Sequence, residues 1–259
     1  VSRSAGDPEL LERAAKALGH AVRPLIFAGG GVISGNAWEE LRLLAETLEA
    51  PVIMSRNGRG AISDRHYLAA SQISMPDLVS RSDVILAVGT RFDQSVNALW
   101  PAGGDRTIVQ LDVDPREIGR NAKPTIGILG DAKLGLAELI NRVGRHNRSR
   151  PSRRDELAAI KTSADAAFDS IQPQAGLARA IRAELPDDGI GVFESTQVGY
   201  WSWGGFPVYQ PRTFLTSGYQ GTLGFGFPTA LGAQVGNPDR KVVSVNGDGG
   251  FMFNVQELS

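Results

Sequence analysis

VVSVNGDGGFMFNVQEL, residues 242–258, sets an apolar run against one acid among glycines and then resumes with Phe, Met and Phe. Val-Val-Ser-Val has the composition of a buried strand, and Asn-Gly followed by Asp-Gly is a strong turn former. Two readings of the turn stand side by side. It is a plain turn, or it is a cradle in which glycine amides and the start of a helix receive a phosphate. An acid there repels a bare phosphate, so the second reading needs a divalent cation between them. Magnesium, held by one or two carboxylates plus phosphate oxygens, meets that need. Asp248 is then the candidate metal ligand, with Gly247 beside it and Gly249 and Gly250 offering amides.

Working outward, short β-rich runs alternate with helical patterns. Asp7-Pro8 opens a helix to about His20, with Asp as N-cap and Pro in the first turn. PLIFAGGG (24–31) reads as a strand entering a glycine turn, and NAWEELRLLAETLEA (36–50) as an amphipathic helix with Asn36 and Glu39 at capping-box spacing. PVIMS, DVILAVG, TIVQLDVD and TIGIL follow as strands, and DAKLGLAELINRVG (131–144) as a closing helix. Strands this continuously apolar, separated by helices, predict an α/β fold with a parallel sheet covered on both faces.

The basic stretch RHNRSRPSRR (145–154) lacks interleaved aromatics and reads as a solvated linker rather than a nucleic-acid arm. Helices are predicted over 155–171 and 174–186, then a strand at GIGVFES, a glycine-rich helix at FGFPTALGAQVG and a strand at KVVSVN. The expected organisation is an α/β domain over residues 1–144, a linker and connecting helix over 145–171, and a second, incomplete α/β unit over 172–259.

Composition excludes several classes. The chain has 259 residues and 42% hydrophobic content, enough to bury a core, and a formal net charge of -1, so no global field recruits nucleic acid or an anionic membrane. It contains no cysteine, which removes disulfides, thiolate metal sites and cysteine nucleophiles. No apolar run approaches the roughly 18 to 20 residues that span a bilayer. A cytoplasmic location is expected. His20, His66 and His146 match no catalytic position and are expected to be structural or at the surface.

The neighbourhood of the opening stretch is more specific than the turn alone. SGYQGTLGFGFPTALGAQVGNPDRKVVSVNGDGG (217–250) resembles the diphosphate-binding domain of the acetolactate-synthase-like thiamine diphosphate enzymes. FAGGGV, GTRFD, LDVDPREIGRN and GDAKLGLAEL are similar to the middle domain of the same family. The resemblance implies a Mg2+- and thiamine diphosphate-dependent decarboxylase or carboligase acting on a 2-oxo acid, working as a homodimer or homotetramer. It also implies a bent cofactor, propped by the apolar residue of the Gly-Thr-x-Gly turn. Here that residue is Leu223, next to Thr222, with the Gly221 carbonyl accepting from the aminopyrimidine. Thr196 and Gln197 match positions near the diphosphate, and Asp248 matches the metal ligand. In the first domain, relatives hold FAD or ADP as a structural nucleotide, and Gly30, Gly31, Arg91 and Asp112 are the matching positions.

Two departures argue against acetolactate itself as product. Val198 and Gly199 follow Gln197 where the family carries His-Gln, and Gln94 and Ser95 follow Arg-Phe-Asp where it carries Asp-Arg. The family's catalytic glutamate belongs to a pyrimidine-binding domain that these residues do not include, so the 259-residue chain alone is expected to be inactive. Two other readings are a nucleotide-dependent oxidoreductase and a non-catalytic nucleotide-binding module. The substrate is open among pyruvate, glyoxylate, an aromatic oxo acid and an acyl-CoA.

Overall fold

The computed structural model describes residues 3–92, 106–218 and 220–259. They form two compact units, Val1–Lys161 and Thr162–Ser259. Gln94 and Ser95 lie outside the described residues.

In the first unit the predicted apolar runs become parallel strands: β1 (Pro24–Ala28), β2 (Val52–Met54), β4 (Val84–Val88), β5 (Thr107–Asp112) and β6 (Ile126–Leu129). A sixth strand, β3 (Ala69–Ala70), is too short to leave a pattern in the sequence. The sheet order is β3-β2-β1-β4-β5-β6, every pairing parallel. β1 and β4 are buried along their whole length, which is why they read as unbroken apolar runs rather than alternating ones. Helices α1 (Pro8–His20), α2 (Gly30–Ser34), α3 (Trp38–Leu48), α4 (Met75–Ser80) and α5 (Ala132–Val143) complete the unit.

Local chemistry sets the helix starts. Asp7 caps α1, its Oδ1 accepting from Glu9 N at 2.8 Å and Leu10 N at 3.1 Å. Asp131 does the same for α5. The capping box expected at Asn36 is not formed. Asn36 lies in the left-handed region at φ 55°, and α3 begins at Trp38 after Ala37, with no side chain capping it. The glycine turn after β1 is also different from expectation, since Gly30 and Gly31 open the short helix α2.

The basic stretch is solvated only in part, with Arg150 and Arg153 drawn into the fold. The Arg150 guanidinium donates to the carbonyls of Leu18, Gly19 and Ala21, satisfying the open C-terminus of α1. Arg153 is 8% exposed and pairs with Glu156. Arginine stems bury readily when the head finds oxygens, so charge density alone misreads this segment.

Helix α6 (Arg154–Asp169) spans the division between the units. The second unit continues through α7 (Gln174–Glu184), β7 (Ile190–Phe193), α8 (Gln197–Gly205), β8 (Phe214–Thr216), α9 (Gly226–Gly236), β9 (Val242–Val245) and α10 (Asp248–Met252). Its sheet is β8-β7-β9, all parallel. Alternation along β7 feeds two cores. Phe193 packs with Trp201, Phe206 and Phe214 on one face, while Ile190 and Val192 pack with Ala230 on the other.

Candidate functional site

At the carboxyl ends of β7, β8 and β9 the chain turns three times, the place where parallel α/β sheets bind ligands. After β7, Thr196 caps α8 by accepting from Gly199 N at 2.8 Å. Gln197 is exposed, with its amide 3.3 Å from that of Gln174. A Cβ built on Gly247 would lie 3.6 Å from the Thr196 methyl, so the turns after β7 and β9 adjoin.

The turn between β8 and α9 carries Gly221, Thr222 and Leu223. Gly221 at φ 64° and Gly224 at φ 79° adopt a conformation that residues with a Cβ rarely take, which explains glycine on either side of Thr-Leu. The result pushes Leu223 outward, 52% exposed. An apolar side chain so displayed is not part of a core among the described residues. Among the described residues no atom lies within 4 Å of a Cβ built on Gly221, and the same holds at Gly249.

Asp248 is exposed at the first position of α10, with Gly247 as N-cap and Gly250 buried. The first amides of a helix have no partner inside it, so those of Asp248, Gly249 and Gly250 are available to an anion. Among the described residues no group of three or more His, Cys, Asp or Glu side chains is arranged to hold a metal ion. Three polar atoms at these strand ends, Thr216 Oγ1, Ser217 Oγ and Asn246 Oδ1, are buried with no hydrogen-bond partner among the described residues. Buried polar groups ordinarily find partners, so the region suits a polar ligand.

Sequence reasoning missed the residue that joins these turns. Glu194, directly after β7, is 1% exposed and accepts from the backbone of Gly224 and Gly226. Asn254 donates to the Gly224 carbonyl at 2.7 Å. The available signal was a carboxylate ending the otherwise apolar run GIGVF.

The first unit has a separate cleft of about 430 Å3 at the point where the strand order reverses, lined by Gly31, Arg91, Asp112, Asp114, Glu117 and Asp131 among others. Gly31, Arg91 and Asp112 thus come together as expected. Gly30 does not join them, because its Cβ direction faces Asn57. Burial pushes the Asp112 carboxyl above its usual range. Packing already explains two of the glycines: a Cβ on Gly29 would lie 2.1 Å from the Gly89 carbonyl oxygen, and one on Gly31 would lie 2.6 Å from Gly89 Cα. His66 and His146 hydrogen-bond to Glu46 and Glu12, and neither lines this cleft.

Residues 11–139 match the family model for the thiamine pyrophosphate enzyme central domain, and residues 194–259 match that for the C-terminal TPP binding domain. The chain belongs to the thiamine pyrophosphate enzymes. It is 37% identical to the "Probable acetolactate synthase large subunit" of Methanococcus aeolicus, over 98% of this chain and 46% of that protein. It is 34% identical to the protein of the same name from Methanocaldococcus jannaschii, over 99% of this chain and 46% of the relative. The acetolactate synthase large subunit of Parasynechococcus marenigrum is 34% identical over 92% of this chain and 40% of its own length. The chain therefore spans less than half the length of these relatives. Its six-stranded and three-stranded parallel sheets correspond to the central and cofactor-binding domains of thiamine pyrophosphate enzymes. Among the described residues no helix is long and apolar enough to cross a membrane.

Proposed function

We propose that the protein carrying this chain is a Mg2+- and thiamine diphosphate-dependent decarboxylase or carboligase acting on a small 2-oxo acid. The observation that carries this reading is the pairing of two turns: an apolar Leu223 displayed between positive-φ glycines, and an exposed Asp248 at a helix start, clasped together through Glu194 and Asn254.

Bound thiamine diphosphate supplies the reactive carbon and electron sink that 2-oxo acid chemistry requires. The chain's own residues bind and orient. Asp248 holds the divalent cation, and the amides of Gly249 and Gly250 meet the diphosphate that the cation neutralises. Thr196 and Gln197 border the same end. Leu223 would pack against the cofactor's rings, and the Gly221 carbonyl would accept a hydrogen bond from its aminopyrimidine and so orient it.

Exposed Leu231, Val235, Met252 and Phe253 support burial of this unit against further protein surface in a homodimer or homotetramer. The test uses the full-length protein. Calorimetric titration with thiamine diphosphate should give binding that requires Mg2+, followed by turnover of pyruvate, glyoxylate or an aromatic 2-oxo acid. Absence of Mg2+-dependent binding overturns the proposal.

A second reading concerns the first unit. We infer a structural nucleotide, FAD or ADP, in the 430 Å3 cleft, because Gly31, Arg91 and Asp112 line it together. Asp112 would accept from ribose hydroxyls and Arg91 would meet phosphate. Titration with FAD and ADP that shows no heat with either refutes it.

A further inference from the structure

Strand β7 ends in Glu194, and taking its carboxylate out of water is costly unless hydrogen bonds replace the lost solvent. The bonds are supplied by the start of α9. That helix has Phe225 as N-cap and no capping side chain of its own, so its first amides need an acceptor from elsewhere. Glu194 Oε2 accepts from Gly226 N at 3.2 Å, and Oε1 accepts from Gly224 N. A carboxylate from a neighbouring strand thus does the work of an N-cap, favoured by the positive end of the helix.

The same carboxylate dictates glycine at positions in both motifs. A Cβ on Gly250 would lie 2.3 Å from Oε1, and one on Gly226 would lie 2.8 Å from Oε2, although there the Asn246 Oδ1, at 2.0 Å, stands nearer still. A Cβ on Gly199 would lie 1.9 Å from the Glu194 carbonyl oxygen. Glu194 therefore fills the space between the Leu223 turn and the Asp248 turn. Asn254 closes the arrangement by holding the Gly224 carbonyl, so the Gly224 peptide unit is gripped at both its N–H and its C=O.

We propose that Glu194 is a positioning residue for the cofactor: by binding the Gly224 and Gly226 amides it fixes Leu223 relative to Asp248. This rests on the thiamine diphosphate reading above. Glutamate suits the role because its two oxygens accept from two amides at once. Glutamine has one acceptor, and its amino group turns a donor toward the other N–H. Aspartate keeps both acceptors and the charge on a shorter stem.

The test compares wild-type full-length protein with Glu194→Gln, Glu194→Asp and Gly250→Ala, the last displacing the carboxylate without altering it. Hydrogen exchange at the Gly224 and Gly226 amides is measured without cofactor. Mg2+-dependent affinity for thiamine diphosphate, kcat and KM are measured separately. Glu194→Gln should speed exchange at one or both amides, weaken cofactor affinity about 10- to 100-fold and lower kcat with little change in KM for the 2-oxo acid. Glu194→Asp should recover part of each loss. Because the Gly250 amide itself meets the diphosphate in the reading above, Gly250→Ala is read by exchange alone, and it should speed exchange at the Gly224 and Gly226 amides even if Glu194→Gln fails to fold. Unchanged exchange overturns the clasp. Faster exchange with unchanged affinity and kcat reduces Glu194 to packing and overturns the positioning role. A wild-type protein that binds no thiamine diphosphate overturns the reading beneath it, and is told apart because the defect then precedes any substitution.

Discussion

Asp248 and Leu223 sit on turns that display them, so their substitution should separate binding from stability. Asp248→Ala removes one carboxylate and no core contact, since the residue is exposed. Mg2+-dependent affinity for thiamine diphosphate should fall about 10- to 100-fold. Folding stability should change by no more than about 0.5 kcal/mol. Normal affinity in this variant would remove Asp248 from the metal site. Leu223→Ala makes a different prediction. The diphosphate end is untouched, so cofactor affinity holds nearly constant, while kcat falls about 10- to 100-fold because the bend is less well enforced. An unchanged kcat would leave Leu223 without a role in the site. His146, by contrast, bonds Glu12 at 2.7 Å within the first unit, and nothing ties it to chemistry.

Helix α1 shows how one element depends on another far along the chain. Its N-terminus is local, capped by Asp7 within three residues. Its C-terminus is satisfied by Arg150, 129 to 132 positions away. Burial pushes the Arg150 guanidinium below its ordinary pKa, yet charge-assisted bonds to three carbonyls hold it there. Arg150→Ala leaves the Ala21 carbonyl without its donor and the Leu18 and Gly19 carbonyls with one backbone donor each, Ala21 N and Arg148 N, and should cost about 2 kcal/mol. In a unit of this size that corresponds to a fall of about 4 to 8 °C in the first unit's melting midpoint, measured by calorimetry. A melting midpoint within 1 °C or so of wild type would show that water replaces the guanidinium without loss.

Across the first unit, the carboxylates predict how stability follows pH. The hydrogen bond from His146 holds the Glu12 carboxyl below its usual range, and Arg153 does the same for Glu156. For Glu46, burial pulls upward but bonds from Arg42 and His66 outweigh it. Arg116 holds Asp114 at about 2. A carboxyl with a depressed folded pKa contributes stability above its unfolded value, and that contribution disappears as pH falls through the folded value. Asp112 runs the other way, since burial raises it and acidification relieves its buried charge. With four groups against one, the melting midpoint should stay level from about pH 7 to about pH 5 and fall between about pH 4.5 and about pH 2. A midpoint that holds or rises on acidification to pH 2 would contradict this.

The sequence by itself determined what depends on local chemistry. Apolar runs such as DVILAVG specify buried parallel strands because no face of them meets water, and Asp7 and Asp131 specify helix starts through bonds to the next turn. The Gly-Thr-Leu-Gly turn was legible because Gly221 and Gly224 answer a backbone demand, positive φ, that glycine meets most readily. The two-residue strand β3 carries too little pattern to be seen, and the three-residue β8 was missed although β2, equally short, was read from PVIMS. Only the tertiary structure decided which distant groups meet. The partners of Glu194 lie 30 and 32 residues away, brought to it because β8 and β9 flank β7. Arg150 reads as one of a solvated basic run until α1 presents its open carbonyls. Periodicity and turn chemistry report on neighbours along the chain. Sheet order, set by how the apolar faces close on one another, decides which buried charge finds which amide.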